Sequence, residues 1–239
     1  MFYDTHAHYD DEAFDQDRDI LLPELHRQGI TLINDIGCDI PSSKKAISIA
    51  AQYPFVYAVV GAWPGNTGDM TEADLEIYGQ LAQHPKVVAI GEIGLDYHYD
   101  DVPRDIQQHW FDRQMDLADR LGKPVVVHER EAHEDGMRIV EEFPQVTGVF
   151  HCYSGSLEMA KVLIRRGWYI GFGGVLTFKN ARKAVEAASQ IPLDRLVLET
   201  DCLYMSPEPF RGRRNDPGRL HLVAERLAQL RGLSAGTVR

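Results

Sequence analysis

The sequence predicts an α/β fold, a (β/α)₈ or TIM barrel, and three observations predict it. Eight short apolar runs alternate with eight longer segments of helical period along the 239 residues. Most of the runs are apolar throughout, as strands are when helices cover a parallel sheet. The connections are short, and eight such units imply closure into a barrel rather than an open sheet. A doubly wound open sheet is the alternative arrangement of the same alternation. No proline-rich or low-complexity linker and no internal repeat divides the chain, so residues 1–239 are expected to form a single barrel domain.

The elements follow in order. The first strand is read at 2–6 (FYDTH) and its helix near 15–28. The second strand, 30–36 (ITLINDI), is rich in β-branched residues and precedes a helix near 41–52. The third, 56–61 (VYAVVG), leads to a helix near 72–83. The fourth, 87–92 (VVAIGE), leads to a helix near 105–121 with the clearest period. There Ile106, Trp110, Leu117 and Leu121 step by four or seven, beside a row of Phe111, Met115 and Ala118. Asp105 sits near its start and Gly122 after its end, and Pro124 blocks further helix. The fifth strand is read at 124–128 (PVVVH), the sixth at 147–151 (TGVFH), the seventh at 168–172 (WYIGF) and the eighth at 195–200 (RLVLET). Helices near 132–143, 156–166, 180–190 and 217–231 follow them.

With 44% hydrophobic residues the chain can bury one large core. No window approaches the roughly 18 consecutive apolar residues of a membrane span, and the N-terminus lacks the pattern of a secretory signal. Three cysteines, Cys38, Cys152 and Cys202, are an odd number without paired metal-type spacing. They fit a reducing cytoplasm, the expected location, better than a disulfide framework. The net charge of −11 argues against tight binding of long duplex DNA. It leaves room for a phosphate-bearing substrate where bound cations or local arginines outweigh the average.

The candidate functional residues fall at strand ends. His6 ends the first strand, Glu92 the fourth, His128 the fifth and His151 the sixth, while Asp201 follows the eighth. Barrel enzymes build their sites at the carboxyl ends of their strands, so these groups are expected to meet on one face. His6 and His8 form a His-x-His pair whose imidazoles share a side if the chain stays extended. Each of these histidines taken alone reads as a hydrogen-bonded structural residue; four at matching strand ends read as metal ligands. Glu92 offers two oxygens, enough to bridge two cations roughly 3.5–4 Å apart; an Arg-paired buried Glu is the other reading. Asp96 fits either an outer partner of a ligand or a turn. Asp201 is preferred over Glu199 as the carboxylate that takes a proton from an attacking water, because alternation turns Glu199 to the same face only if the strand continues. His26, His84, His109, His133 and His221 fall in helices or at their ends and read as surface or structural residues.

After the eighth strand, Arg211, Arg213 and Arg214 crowd into four residues of an otherwise acidic chain. Guanidinium groups pair with phosphate in bidentate fashion, and barrels often bind phosphate in this region. A solvated run of charge is the plainer reading of the same loop.

Asp4-Thr5-His6-Ala7-His8, Gly91-Glu92-Ile93-Gly94-Leu95-Asp96-Tyr97, Val127-His128, His151-Cys152-Tyr153-Ser154-Gly155 and Glu199-Thr200-Asp201 together resemble the motifs of the TatD-type metal-dependent deoxyribonucleases. Arg211-Gly212 and Asn215 before Pro217 also fit, and the resemblance spans nearly the whole chain. It implies an amidohydrolase-like barrel, one or two divalent ions (Mg, Mn or Zn) and hydrolysis of phosphodiester bonds in DNA by a metal-activated water. The implied metal ligands are His6, His8, Glu92, His128, His151 and Asp201, with Asp201 and Glu92 catalytic. The substrate contacts are expected at Arg211, Arg213, Asn215 and Tyr153, and the expected partner is DNA, single-stranded or held by an end, with no membrane role. The chain departs from the family at Trp63-Pro64, where a His before the proline is usual, at Glu129-Arg130-Glu131 and at Cys202-Leu203-Tyr204. It also stops at Arg239, where such proteins commonly continue through another helix, so a shortened last element is expected. A hydrolase of a small phosphate ester, lactone or amide on the same scaffold is the alternative activity. A catalytically silent metal-binding protein is a third reading.

Overall fold

The computed structural model describes residues 1–238. Eight strands form one sheet in sequence order, each parallel to the next. They are β1 (Phe2–Ala7), β2 (Ile30–Ile36), β3 (Val56–Val60), β4 (Val87–Asp96), β5 (Val125–Arg130), β6 (Gly148–Phe150), β7 (Tyr169–Phe172) and β8 (Leu196–Leu198). The helices between and after them are α1 (Arg18–Arg27), α2 (Ile40–Gln52), α3 (Glu72–Leu81), α4 (Arg104–Leu121), α5 (His133–Glu142), α6 (Leu157–Arg165), α7 (Arg182–Gln190) and α8 (Leu220–Arg231). This is the (β/α)₈ barrel that the alternation predicts. Ile36, Val59, Ala89 and Val126, from four neighbouring strands, pack together as a layer apart from the main core between strands and helices.

The barrel closes late. Beyond the short β8 the chain pairs with β1 through an Ala7–Cys202 bridge, with Asp201 N–H donating to His6 O at 2.9 Å and His8 N–H to Cys202 O at 2.8 Å. Below this seam the buried Asp4 carboxylate accepts the Thr200 N–H at 2.9 Å and the Thr200 hydroxyl at 2.5 Å. The seam therefore holds His6, His8 and Asp201 side by side.

Several boundaries differ from expectation by a few residues: β1 runs one residue past His6, β6 stops just before His151 and β8 stops at Leu198, and two larger differences bear on the site. β4 does not end at Glu92 but runs on to Asp96, and β5 runs past His128 to Arg130. Two-residue alternation from Ile90, which faces the helices, would turn Glu92 outward. The register against β5 slips between Ile90 and Ile93, and a bulge of this kind re-aims side chains. Glu92 and Asp96 consequently share the inner side, while Ile93 and Leu95 join the core under the helices. Gly94, at φ 138°, lets the two strands stay close beyond the bulge, since a Cβ there would lie 1.9 Å from His128 O.

Candidate metal centre

Four histidines and two carboxylates meet at the carboxyl end of the barrel. Glu92 lies among them, 3% exposed, and its two oxygens face two different sets of donors. Oε2 lies 3.5 Å from His6 Nε2 and 3.7 Å from His8 Nε2. Those nitrogens stand 3.2 Å apart, and Asp201 Oδ1 completes the group at 3.8 and 3.5 Å from them. On the other side Oε1 lies 2.8 Å from His128 Nδ1 and 2.9 Å from His151 Nε2, which are 3.2 Å apart. Donors bound to one ion at about 2.0–2.2 Å stand roughly 3–3.5 Å from one another, and His6, His8 and Glu92 on one side, and Glu92, His128 and His151 on the other, are each grouped closely enough to hold an ion.

Electrostatics supports the same reading. Glu92, Asp96, Glu199 and Asp201 are all nearly or fully buried, and among the described residues their ion-pair partners are histidines alone. The Arg-paired alternative for Glu92 is thus not what the fold builds. Burial alone would raise the Glu92 carboxyl, but the His151 charge and hydrogen bonds from His128, His151 and His6 bring it well below the usual range. Burial and the repulsion of His151 hold His6 down at about 4. Burial also acts against a charged His128, yet hydrogen bonds to Asp96 and Glu92 lift it to about 9. Burial and Asp201 raise Glu199 well above the carboxylate range, so its ionised form calls for added positive charge in the centre. Close pairs of imidazole nitrogens over carboxylates that form no ion pair with arginine or lysine among the described residues fit cations as the missing positive charge.

The outer nitrogens fix two of the rings. His8 Nδ1 donates to Ile36 O at 2.8 Å, leaving Nε2 toward Glu92. His128 Nε2 donates to Asp96 Oδ2 at 2.9 Å, leaving Nδ1 inward. Asp96 also accepts the His98 N–H at 2.9 Å, so it serves both as the outer partner of His128 and as a turn residue. Asp201 sits in the left-handed region, at φ 53°, where the chain turns out of the barrel seam. Cys38, just beyond β2, places its Sγ 3.6 Å from Glu92 Oε2 and 3.9 Å from His8 Nδ1. Nothing in the cysteine spacing pointed to that neighbourhood.

The expected substrate contacts divide. Arg211 stacks over Phe178 at 3.7 Å and Arg213 lies over Phe210 at 5.9 Å; both are exposed and without an acidic partner among the described residues. Arg214 is committed to Asp17. Asn215 and Tyr153 are corrections. Asn215 is fully buried, and its amide donates to Thr200 O and Tyr204 O, both at 2.8 Å, which ties the loop to the seam. Tyr153 is 3% exposed and its hydroxyl donates to Ser156 O at 2.7 Å. Neither side chain is open to a substrate. Glu129 likewise turns away from the centre, accepting the Ala132 N–H at 2.8 Å at the start of α5 and pairing with His133. Trp63 meets His128 edge-on, with centroids 5.8 Å apart, and Tyr204 stands half-exposed 6.2 Å from His8.

Comparison with known proteins agrees with this architecture. The family model described as TatD related DNase matches residues 3–239. The chain is similar to the metal-dependent hydrolase YabD of Bacillus subtilis, 42% identical over 236 residues, covering 98% of this chain and 92% of that protein. The crystal structure of YjjV, a TatD homologue from Escherichia coli K12, superposes with a TM-score of 0.93 at 32% identity, covering 99% of this chain and 93% of that one. A TatD-family hydrolase from Entamoeba histolytica superposes with a TM-score of 0.87 at 25% identity, over 99% and 93% of the two chains. The chain belongs to the TatD-related DNase family of metal-dependent hydrolases.

Proposed function

We propose that this protein hydrolyses phosphodiester bonds in DNA at a two-cation centre. The observation that carries the proposal is the position of Glu92, each of whose oxygens faces its own set of ligand atoms. His6, His8, Glu92 and Asp201 would hold one ion, and Glu92, His128 and His151 the other. Magnesium, manganese and zinc are all compatible with this mixture of nitrogen and carboxylate donors. When bound, such a pair of ions supplies a water acidic enough to attack at neutral pH and neutralises charge developing on the phosphoryl oxygens.

The protein's own groups do the rest. Asp201 is held below the usual carboxylate range by His8 and the neighbouring imidazoles, against the effect of burial, so at neutral pH it is an ionised base. It orients the attacking water and accepts its proton. Arg211 and Arg213, exposed and unpaired among the described residues, hold a neighbouring phosphate. The faces of Trp63 and Tyr204 beside the centre suit unstacked bases, which favours single strands or frayed ends over intact duplex. The three free thiols suit a cytoplasmic setting. Among the described residues no helix is long and apolar enough to cross a membrane.

The test is degradation of single-stranded DNA by metal-stripped protein, with and without Mg²⁺ or Mn²⁺, beside Asp201→Ala. Metal-dependent shortening that the variant lacks is the expected result. A net charge of −11 favours the second reading, a small phosphate ester, lactone or amide as substrate. Turnover of such a compound by metal-loaded protein that leaves DNA intact would select it.

A further inference from the structure

Every imidazole that binds a metal through one nitrogen has a second nitrogen to satisfy, and its partner fixes the ring. His8 uses Ile36 O and His128 uses Asp96. The remaining two, His6 and His151, direct Nε2 at Glu92, and their Nδ1 atoms are buried without a hydrogen-bond partner. Their rings lie stacked, 3.8 Å between centroids and 8° from parallel. A third buried atom without a partner is Glu199 Oε2. A ring nitrogen of His6, a ring nitrogen of His151 and a carboxylate oxygen of Glu199 all lie within 4.8 Å of one another. His151 Nδ1 is 3.9 Å from Glu199 Oε1, one small side-chain adjustment short of a hydrogen bond.

We propose that Glu199 is a shared positioning residue, a single buried carboxylate that orients His6 in one metal subsite and His151 in the other. The inference rests on the two-subsite reading above. Glu92 joins the subsites across their inner nitrogens, and Glu199 joins the same two rings from their outer side. Asp4, the other buried acid beside His6, is not available: Oδ1 accepts from His6 N and Thr200 N, and Oδ2 from the Thr200 hydroxyl. The fold also keeps room for Glu199. Gly171 on β7 faces it, and a Cβ there would stand 2.5 Å from Oε2. The carboxylate is itself anchored, with Oε1 accepting the Cys152 N–H.

That anchor allows a purely structural role to be separated from a positioning role. Glu199→Gln keeps the oxygen that accepts from Cys152 and lies nearest His151 and puts an NH₂ group in place of the other, whereas Glu199→Ala removes both acceptors. The readout is affinity of the full-length, metal-stripped protein for Mn²⁺, by competition with a chelating indicator, alongside thermal unfolding without metal. Expected are a metal-free Tm close to wild type in Glu199→Gln with the His6 step weakened about ten- to a hundredfold, the usual effect of removing an outer partner, and both steps weakened in Glu199→Ala. Gly171→Ala, which crowds Oε2 from the neighbouring strand, should weaken both steps without changing any titratable group. Weakening of one step alone in Glu199→Ala would refute the shared role. Wild-type affinity in Glu199→Gln, with both ions lost in Glu92→Ala, would overturn the inference while leaving the centre as described. Wild-type affinity in Glu92→Ala as well would overturn the two-subsite reading and this inference with it.

Discussion

Replacing Asp96 by Asn changes one atom beneath His128 and leaves every proposed ligand in place. The Asp96 side chain, 2% exposed at the residue level, has two commitments: Oδ2 accepts from His128 Nε2 and Oδ1 from the His98 N–H, both at 2.9 Å. An amide offers one oxygen and one NH₂, so either orientation sets an N–H against an N–H. The hydrogen bond to His128 is charge-assisted, a class that contributes about 1.5–3 kcal/mol. Loss of an outer partner weakens a metal about ten- to a hundredfold, or about 1.4–2.7 kcal/mol, which is the same range. The effect should depend on pH. In the wild type Asp96 and Glu92 lift His128 to about 9 despite burial, so near neutrality an ion must displace a proton from it. The variant lowers that barrier together with the attraction for the metal, so the deficit is smallest near neutrality and reaches its full size above the wild-type titration. Chelator competition at two pH values measures it. One binding step should weaken and the other should hold. Equal weakening of both steps, or none, would refute the assignment of His128 to a subsite of its own.

Two further perturbations test other parts of the site. His128, at about 9, and His8, raised well above its usual value by Cys38, Asp201 and Glu92 against burial, carry protons at pH 7 that coordination must displace. Metal uptake should therefore release protons and tighten as pH rises, seen as a binding heat that varies with the ionisation enthalpy of the buffer; a buffer-independent heat would contradict those protonation states. Asn215→Ala leaves the Thr200 and Tyr204 carbonyls without their donor. At about 1–3 kcal/mol per unsatisfied group and about 2–4 °C per kcal/mol, Tm should fall by several degrees. An unchanged Tm with a raised KM would return Asn215 to the substrate.

Much of the barrel was legible because strand and helix periods differ and the punctuation is strong. Gly122 and Pro124 bound α4 and β5 as capping and proline chemistry require. The four histidines and Asp201 were legible by their places near strand ends. Glu92 was found by its motif but misplaced at a strand end, because a bulge depends on pairing with a neighbour and leaves little trace in alternation. Asn215 and Tyr153 were misassigned because a loop residue near a site reads the same whether it faces the ligand or the backbone. For Glu199 the alternation argument turns on whether the strand continues. The ladder does continue past β8, with Glu199 N–H donating to Phe172 O, but its side chain goes beneath the imidazoles rather than beside Asp201.

The seam between β1 and β8 carries a consequence for biogenesis. Asp4 and Thr200, which lock it, are 196 positions apart, and His6, His8 and Asp201 meet across it. The entropy of closing so long a loop grows only slowly with its length, but the contact cannot form until both ends exist. During synthesis the first strand therefore leaves the ribosome with His6 and His8 and waits for nearly the whole chain before meeting Asp201. A half-made barrel lacks the seam that brings His6, His8 and Asp201 together, so the centre assembles only once nearly all of the chain is made.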